Sequence, residues 1–240
     1  MKRIAALLLT CLMSTWVSAA ALPDFPFVVS DGKAEKKITP DIATIHLTIT
    51  AFHKDSDQAL KTVNLTTTAV TEVLIKHGVS TEQIEATDIN KSTARKRDSE
   101  YNQLEILGYD ISRSMTIKLN NLAKYSEIIG DIIATNNVSG VQAQFDLSTR
   151  TELESELTLL AGQNAREKAE QMARALGTKI HSVYAITRGA GFEELFGSYG
   201  PGEKVMMMRM AAGGGAYDTI MFPPREITVS QEIKVIFRIK

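Results

Sequence analysis

Four methionines, Met206, Met207, Met208 and Met210, stand almost side by side in a chain of 240 residues. Thioethers bind soft Cu(I), and they are readily oxidised to sulfoxide. They also adapt to irregular apolar surfaces. Copper binding, sacrificial oxidation and packing in a neighbour's groove are the three uses open to this cluster. The histidines, His46, His53, His77 and His181, are too dispersed to add to it. No two stand at i, i+4 on a helix or i, i+2 on a strand, so no metal site is encoded locally. His77 falls at the end of a helical pattern, where a cation suits the dipole.

Arg113 interrupts an apolar strand face between Ile111 and Met115. An arginine there must either meet an acid or mark an edge where the face opens to solvent. A structural ion pair or an interface contact is the expected use, and binding of an anionic ligand is the alternative. Lys91, Arg95, Lys96 and Arg97 form a basic run without interleaved aromatics, followed at once by Asp98 and Glu100. It reads as a solvated hairpin tip.

Catalytic motifs do not occur. The chain has no G-x-S-x-G elbow, no H-E-x-x-H, no P-loop and no G-x-G-x-x-G. Gly189-Ala190-Gly191 follows a strand pattern but lacks the third glycine and the helix behind it. No cofactor is expected, and the chain reads as non-enzymatic. Charge points the same way about partners. With 27 basic and 28 acidic side chains, the net charge is −1, which excludes the basic excess of a dedicated nucleic-acid binder. At 44% hydrophobic and 23% charged, the chain can bury a core. Its one cysteine, Cys11, excludes an intrachain disulfide.

The N-terminus carries an address. Lys2 and Arg3 precede the apolar run Ile4 to Val17, and Ser18-Ala19-Ala20-Ala21 supplies small residues for a signal peptidase. Residues 1–20 are expected to be a signal peptide, cleaved between Ala19 and Leu22. Cys11 lies inside the apolar run, a poor context for lipid attachment. Removal of the segment leaves a cysteine-free chain with no further apolar run long enough to cross a bilayer. Export without disulfides fits a bacterial periplasm.

The elements behind these residues follow from periodicity. Val28 to Lys36 reads as a strand. Ala43, Ile45, Leu47, Ile49 and Ala51 alternate with Thr44, His46, Thr48 and Thr50 in a second. Asp55 or Ser56 can cap a helix carrying Leu60, Val63, Val70, Val73, Leu74 and His77, with Gly78 at its left-handed end. Ile84 to Arg97 and Tyr109 to Leu119 are strands. A second helix carries Leu122, Tyr125, Ile128, Ile129, Ile132 and Ile133, and Asn136-Asn137 ends it. Val141 to Leu147 is a strand.

The longest helix opens on the capping pattern Thr151-x-x-Glu154. It carries Leu153, Leu157, Leu160, Ala161, Ala165, Ala169, Met172, Ala173 and Leu176, and stops at Gly177. Strands Ile180 to Thr187 and Ile227 to Ile239 close the chain. The order ββαββαβαββ, with one apolar face per element, predicts an α+β fold of helices packed on a largely antiparallel sheet. Residues 189–224 break the pattern. They hold eight of the fifteen glycines, three of the six prolines and five of the nine methionines. They are expected to form a flexible loop within a domain spanning 21–240.

Pro40-Asp41-Ile42-Ala43, Gly108-Tyr109, the helix segment Asn164-Ala165-Arg166-Glu167-Lys168-Ala169-Glu170-x-x-Ala173-x-Ala175-Leu176-Gly177 and the closing Ile227-Thr228-Val229-Ser230 resemble the SIMPL-domain family. The resemblance runs from about Val28 to the C-terminus. It implies an α+β fold, periplasmic residence and a ring-like homo-oligomer. The family includes bacterial periplasmic immunogenic proteins and envelope proteins linked to oxidative-stress defence, and it supplies no catalytic residues to carry over.

Self-association is expected on physical grounds as well. The strand order leaves sheet edges to cover. Phe192, Phe196, Tyr199, Tyr217 and Phe222 join the methionines in a segment long enough to reach a neighbour. These aromatics and Arg113 are the interface candidates. The leading expectation is a homo-oligomeric assembly supporting envelope or oxidative-stress tolerance. A ligand- or metal-binding module using His and Met residues, and an enzyme with a site assembled across subunits, are the alternatives.

Overall fold

Asp55 stands two residues after one strand and caps the helix that follows, and it shows how local chemistry sets the elements. Its carboxylate accepts the N–H groups of Asp57 (2.7 Å) and Gln58 (3.4 Å), satisfying donors that a helix start leaves free. In the computed structural model, which describes residues 23–97, 103–188 and 222–240, this helix is α1, Ser56–Lys76. Gly78 takes φ +90° just after it, the left-handed stop that the sequence requires.

The other elements are β1 (Phe27–Ile38), β2 (Ile42–His53), β3 (Ile84–Arg97), β4 (Gln103–Leu119), α2 (Tyr125–Ala134), β5 (Val138–Asp146), α3 (Arg150–Ala175), β6 (Ile180–Arg188) and β7 (Ile227–Ile239). The order ββαββαβαββ and the α+β class are borne out. The strands make two sheets, ordered β3-β4-β2-β5 and β1-β7-β6. The pairings β2–β4, β2–β5, β3–β4 and β6–β7 are antiparallel.

The described residues divide into two compact units. One comprises 35–97, 103–155 and 222–229, and the other 23–34, 156–188 and 230–240. In the first, β2 is central. Its odd residues Ala43 to Ala51 are buried, and Ile45 and Leu47 sit opposite Ile117 and Met115 of β4. Val63, Val70 and Leu74 of α1 pack with them, as do Ile128, Ile129 and Ile132 of α2. Tyr125 meets Phe145 edge-to-face, ring centroids 5.0 Å apart.

In the second unit, α3 lies close against β1. Ala161, Ala165, Ala169 and Ala173, one per turn, are fully buried. Ser30 Oγ donates to the Ala165 carbonyl (2.8 Å), and Asn164 Nδ2 to the Lys33 carbonyl (2.9 Å). The buried stripe is narrower than the apolar pattern predicts, because Leu160, Met172 and Leu176 are exposed. The Thr151 capping pattern is also corrected. The helix begins at Arg150, one residue before Thr151, and Glu154 pairs with the Arg150 guanidinium (3.2 Å). Asp146 organises this end by accepting the Leu147 N–H (2.7 Å) and pairing with Arg150 Nε.

Candidate functional site

Arg113 occupies the face of β4 that packs beneath α1. Its register partners are Ile49 on β2 and Ile89 on β3. The expected ion pair is not made among the described residues. The group Arg113 meets on α1 is the hydroxyl of Thr67, 3.5 Å from Nη1, and Thr67 Oγ1 itself donates to the Val63 carbonyl at 2.7 Å. Arg113 Nε is buried with no acceptor. Lys91, two residues beyond Ile89 on the same face, holds its ammonium 4.6 Å from the centroid of the Tyr109 ring.

A cleft of about 400 Å³ lies between the end of α1 and the start of α2. His77, Gln83, Asn121 and Lys124 line it over Val79, Leu119 and Ile128. Most of its polar atoms are engaged within the fold. His77 Nε2 is 2.8 Å from Asp131 and its Nδ1 3.8 Å from Glu127. Gln83 accepts the Ser80 N–H and donates to the Lys118 carbonyl, and Asn121 Oδ1 accepts the Ala123 N–H. The His77–Asp131 contact, across 54 residues of chain, has no local sequence signal. The other histidines serve their own surroundings. His46 meets Thr116, His53 accepts the Asp55 N–H, and His181 meets Ser182.

Apolar side chains crowd two exposed regions. On β6, an outer strand of its sheet, Val183, Tyr184 and Ile186 are 48%, 57% and 62% exposed. On the β3–β4 hairpin, Ile89, Ile106 and Leu107 are exposed. Phe222 is exposed as well. Phe192, Phe196, Tyr199 and Tyr217, together with Met206, Met207, Met208 and Met210, lie outside the described residues, as does the N-terminal segment 1–22.

Fold and surface define an α+β protein of two antiparallel sheets with helices against them. Among the described residues, no three metal-ligating side chains converge, and no helix is long and apolar enough to cross a membrane. The chain belongs to the SIMPL family, described as a protein of unknown function (DUF541), which matches residues 28–237.

Similarity extends to other bacterial proteins. Uncharacterized protein YggE of Edwardsiella ictaluri is 22% identical over 174 residues, covering 72% of each chain. YggE of Escherichia coli K12 is 21% identical over 223 residues, 92% of this chain and 87% of the relative. The 26 kDa periplasmic immunogenic protein of Brucella melitensis is 23% identical over 159 residues, 65% of this chain and 64% of the relative.

Proposed function

We propose that this chain is an exported, non-enzymatic periplasmic protein that works as a homo-oligomer and supports envelope or oxidative-stress tolerance. The observation that carries the reading is β6. An outer strand offers unpaired backbone groups, and natural proteins usually blunt such strands with charge or cover. Here Val183, Tyr184 and Ile186 are each exposed instead, with Tyr184 in edge contact with Phe25. Covering them with another copy removes both the apolar surface and the open edge, and one head-to-tail contact repeated with the right rotation closes a ring. Periplasmic residence is supported by the charged, apolar and small-residue regions at the N-terminus and by the name of the Brucella relative.

Light scattering coupled to size exclusion tests the assembly. The mature chain should elute as a multimer at micromolar concentration, and Ile186→Lys with Val183→Lys should reduce it to smaller species. A single monomeric species in the unsubstituted chain would overturn the proposal. N-terminal sequencing of the envelope fraction should find a start between Ala20 and Leu22. A strain lacking the protein should lose peroxide tolerance, and the lysine variant should fail to restore it.

A further inference from the structure

We propose that Arg113 and Lys91 form a binding site for a small organic dicarboxylate on the uncovered part of the four-stranded sheet. Arg113 stands at a boundary. Along β4 its same-face neighbours Ile111 and Met115 are buried, and so is Ile49 across the β2 side. Across the β3 side its partner Ile89 is 47% exposed, and β3 is exposed throughout from Glu85 to Thr93. Helix α1 packs over β2 and β4, so one flank of the guanidinium lies under the helix and the other opens over β3.

The protected flank is poorly satisfied. A guanidinium has five N–H donors and no acceptor. Among the described residues this one has a single long contact, to Thr67, and a buried Nε with no partner. An uncompensated charge in such a position destabilises a fold, and a purely structural arginine would have an acid beside it. The remaining N–H groups, on the flank toward β3, are the donors that an anion supplied from outside would meet.

Lys91 provides the second charge. It pairs in register with Ile111, two positions along from the Ile89–Arg113 pair and on the same face. Diagonal neighbours of this kind lie roughly 7–8 Å apart at their Cα atoms, within joint reach of two long side chains. Cation–π contact with Tyr109 keeps the ammonium over that face. The exposed Ile89 side chain stands opposite Arg113 and the Tyr109 ring lies beneath the ammonium, so apolar surface flanks both charges. Arginine's planar fork suits a carboxylate taken bidentately, and lysine suits a second carboxylate as a point charge.

Thermal unfolding of the mature chain with glutarate as the probe, at low ionic strength, tests this. Glutarate should raise the melting temperature saturably by about 2–4 °C, while the neutral glutaramide leaves it unchanged. Arg113→Met should abolish the rise, and without ligand it should melt at or above the parent, because it removes an unpaired charge. Lys91→Met, a change at an exposed position, should fold normally and raise the half-saturating glutarate concentration several-fold.

No rise with glutarate in the parent chain would overturn the proposal, and so would a rise that survives Arg113→Met. A marked loss of stability in Arg113→Met, or failure to fold, would make the arginine structural and end it. Light scattering on the same samples separates this from self-association. A change of oligomer size in Arg113→Met would assign the arginine to a contact between copies, not to a free ligand.

Discussion

Gly32 and Ala161 approach so closely that a Cβ at residue 32 would lie 1.8 Å from the Ala161 carbonyl oxygen and 2.6 Å from the Ala165 nitrogen. Both contacts are with backbone, which cannot rotate away. The alanine-rich helix segment and the glycine on β1 are thus two halves of one close packing. Gly32→Ala should destabilise the protein by about 1–3 kcal/mol or more, as overpacking does. Gly162→Ala is the control. Its Cβ would meet only the Ile233 Cδ1, at 3.6 Å, and alanine favours the helix by about 1 kcal/mol. Urea unfolding should separate the two in opposite directions.

Asp41 gives the fold an acid-side dependence. Its carboxylate accepts both the hydroxyl and the N–H of Ser148, and these hydrogen bonds hold its pKa below the ordinary carboxylate value. Asp31 is lowered likewise, first by its hydrogen bond from Lys168. For a lowered carboxylate the unfolded chain takes up its proton first as pH falls. The stabilisation is therefore complete well above the unfolded value, near 4, and disappears as pH drops through the folded pKa values. Both groups are exposed, so solvent screening keeps the effect small. Ser148→Ala should lower stability at pH 7 and cost progressively less as pH falls below the ordinary carboxylate value, measured by denaturant unfolding across that range.

His77 and Asp131 brace the end of α1 against α2. The His77 side chain is 11% exposed and Asp131 is half open to water, so the pair should contribute modestly. A double-mutant cycle of His77→Ala and Asp131→Ala is expected to give a coupling of about 0.5–1 kcal/mol. A coupling near zero would show that the two groups act independently.

Period-2 patterns made the strands legible, and glycine marked the helix ends at residues 78 and 177. Strand partnership was less accessible. The sequence places β1 and β7 at opposite ends, and only the folded chain makes them neighbours in a separate sheet. The buried α3 stripe is narrower than its apolar pattern because Leu160, Met172 and Leu176 share the apolar character of its buried residues, while one side chain per turn makes the contact. Thr151-x-x-Glu154 has the composition of a capping box, yet Ser80 and Gln83 form one around a short 3₁₀ turn, Thr81–Gln83. Arg113 was conspicuous from its apolar neighbours. Its meeting with a threonine instead of an acid depends on which residue of α1 lies above it, and β4 carries no record of that.

Methionine oxidation should follow this corrected burial. Met115 is 1% exposed between β2 and β3, whereas Met172 is 41% exposed on α3 despite its place in the apolar pattern. Sulfoxide formation requires access to the sulfur, and it converts an apolar side chain into a polar one. Mild peroxide should therefore oxidise Met172 well before Met115, and Met115 should react only as the protein unfolds. If Met206, Met207, Met208 and Met210 act as an oxidation sink, they should be converted ahead of both. Peptide mass spectrometry over a time course reads the order directly. Exposure alone would produce the same order, so the sink is tested by replacing the four with leucine. Peroxide survival equal to that of the parent strain would reject the protective role, and faster oxidation of Met172 together with lower survival would support it.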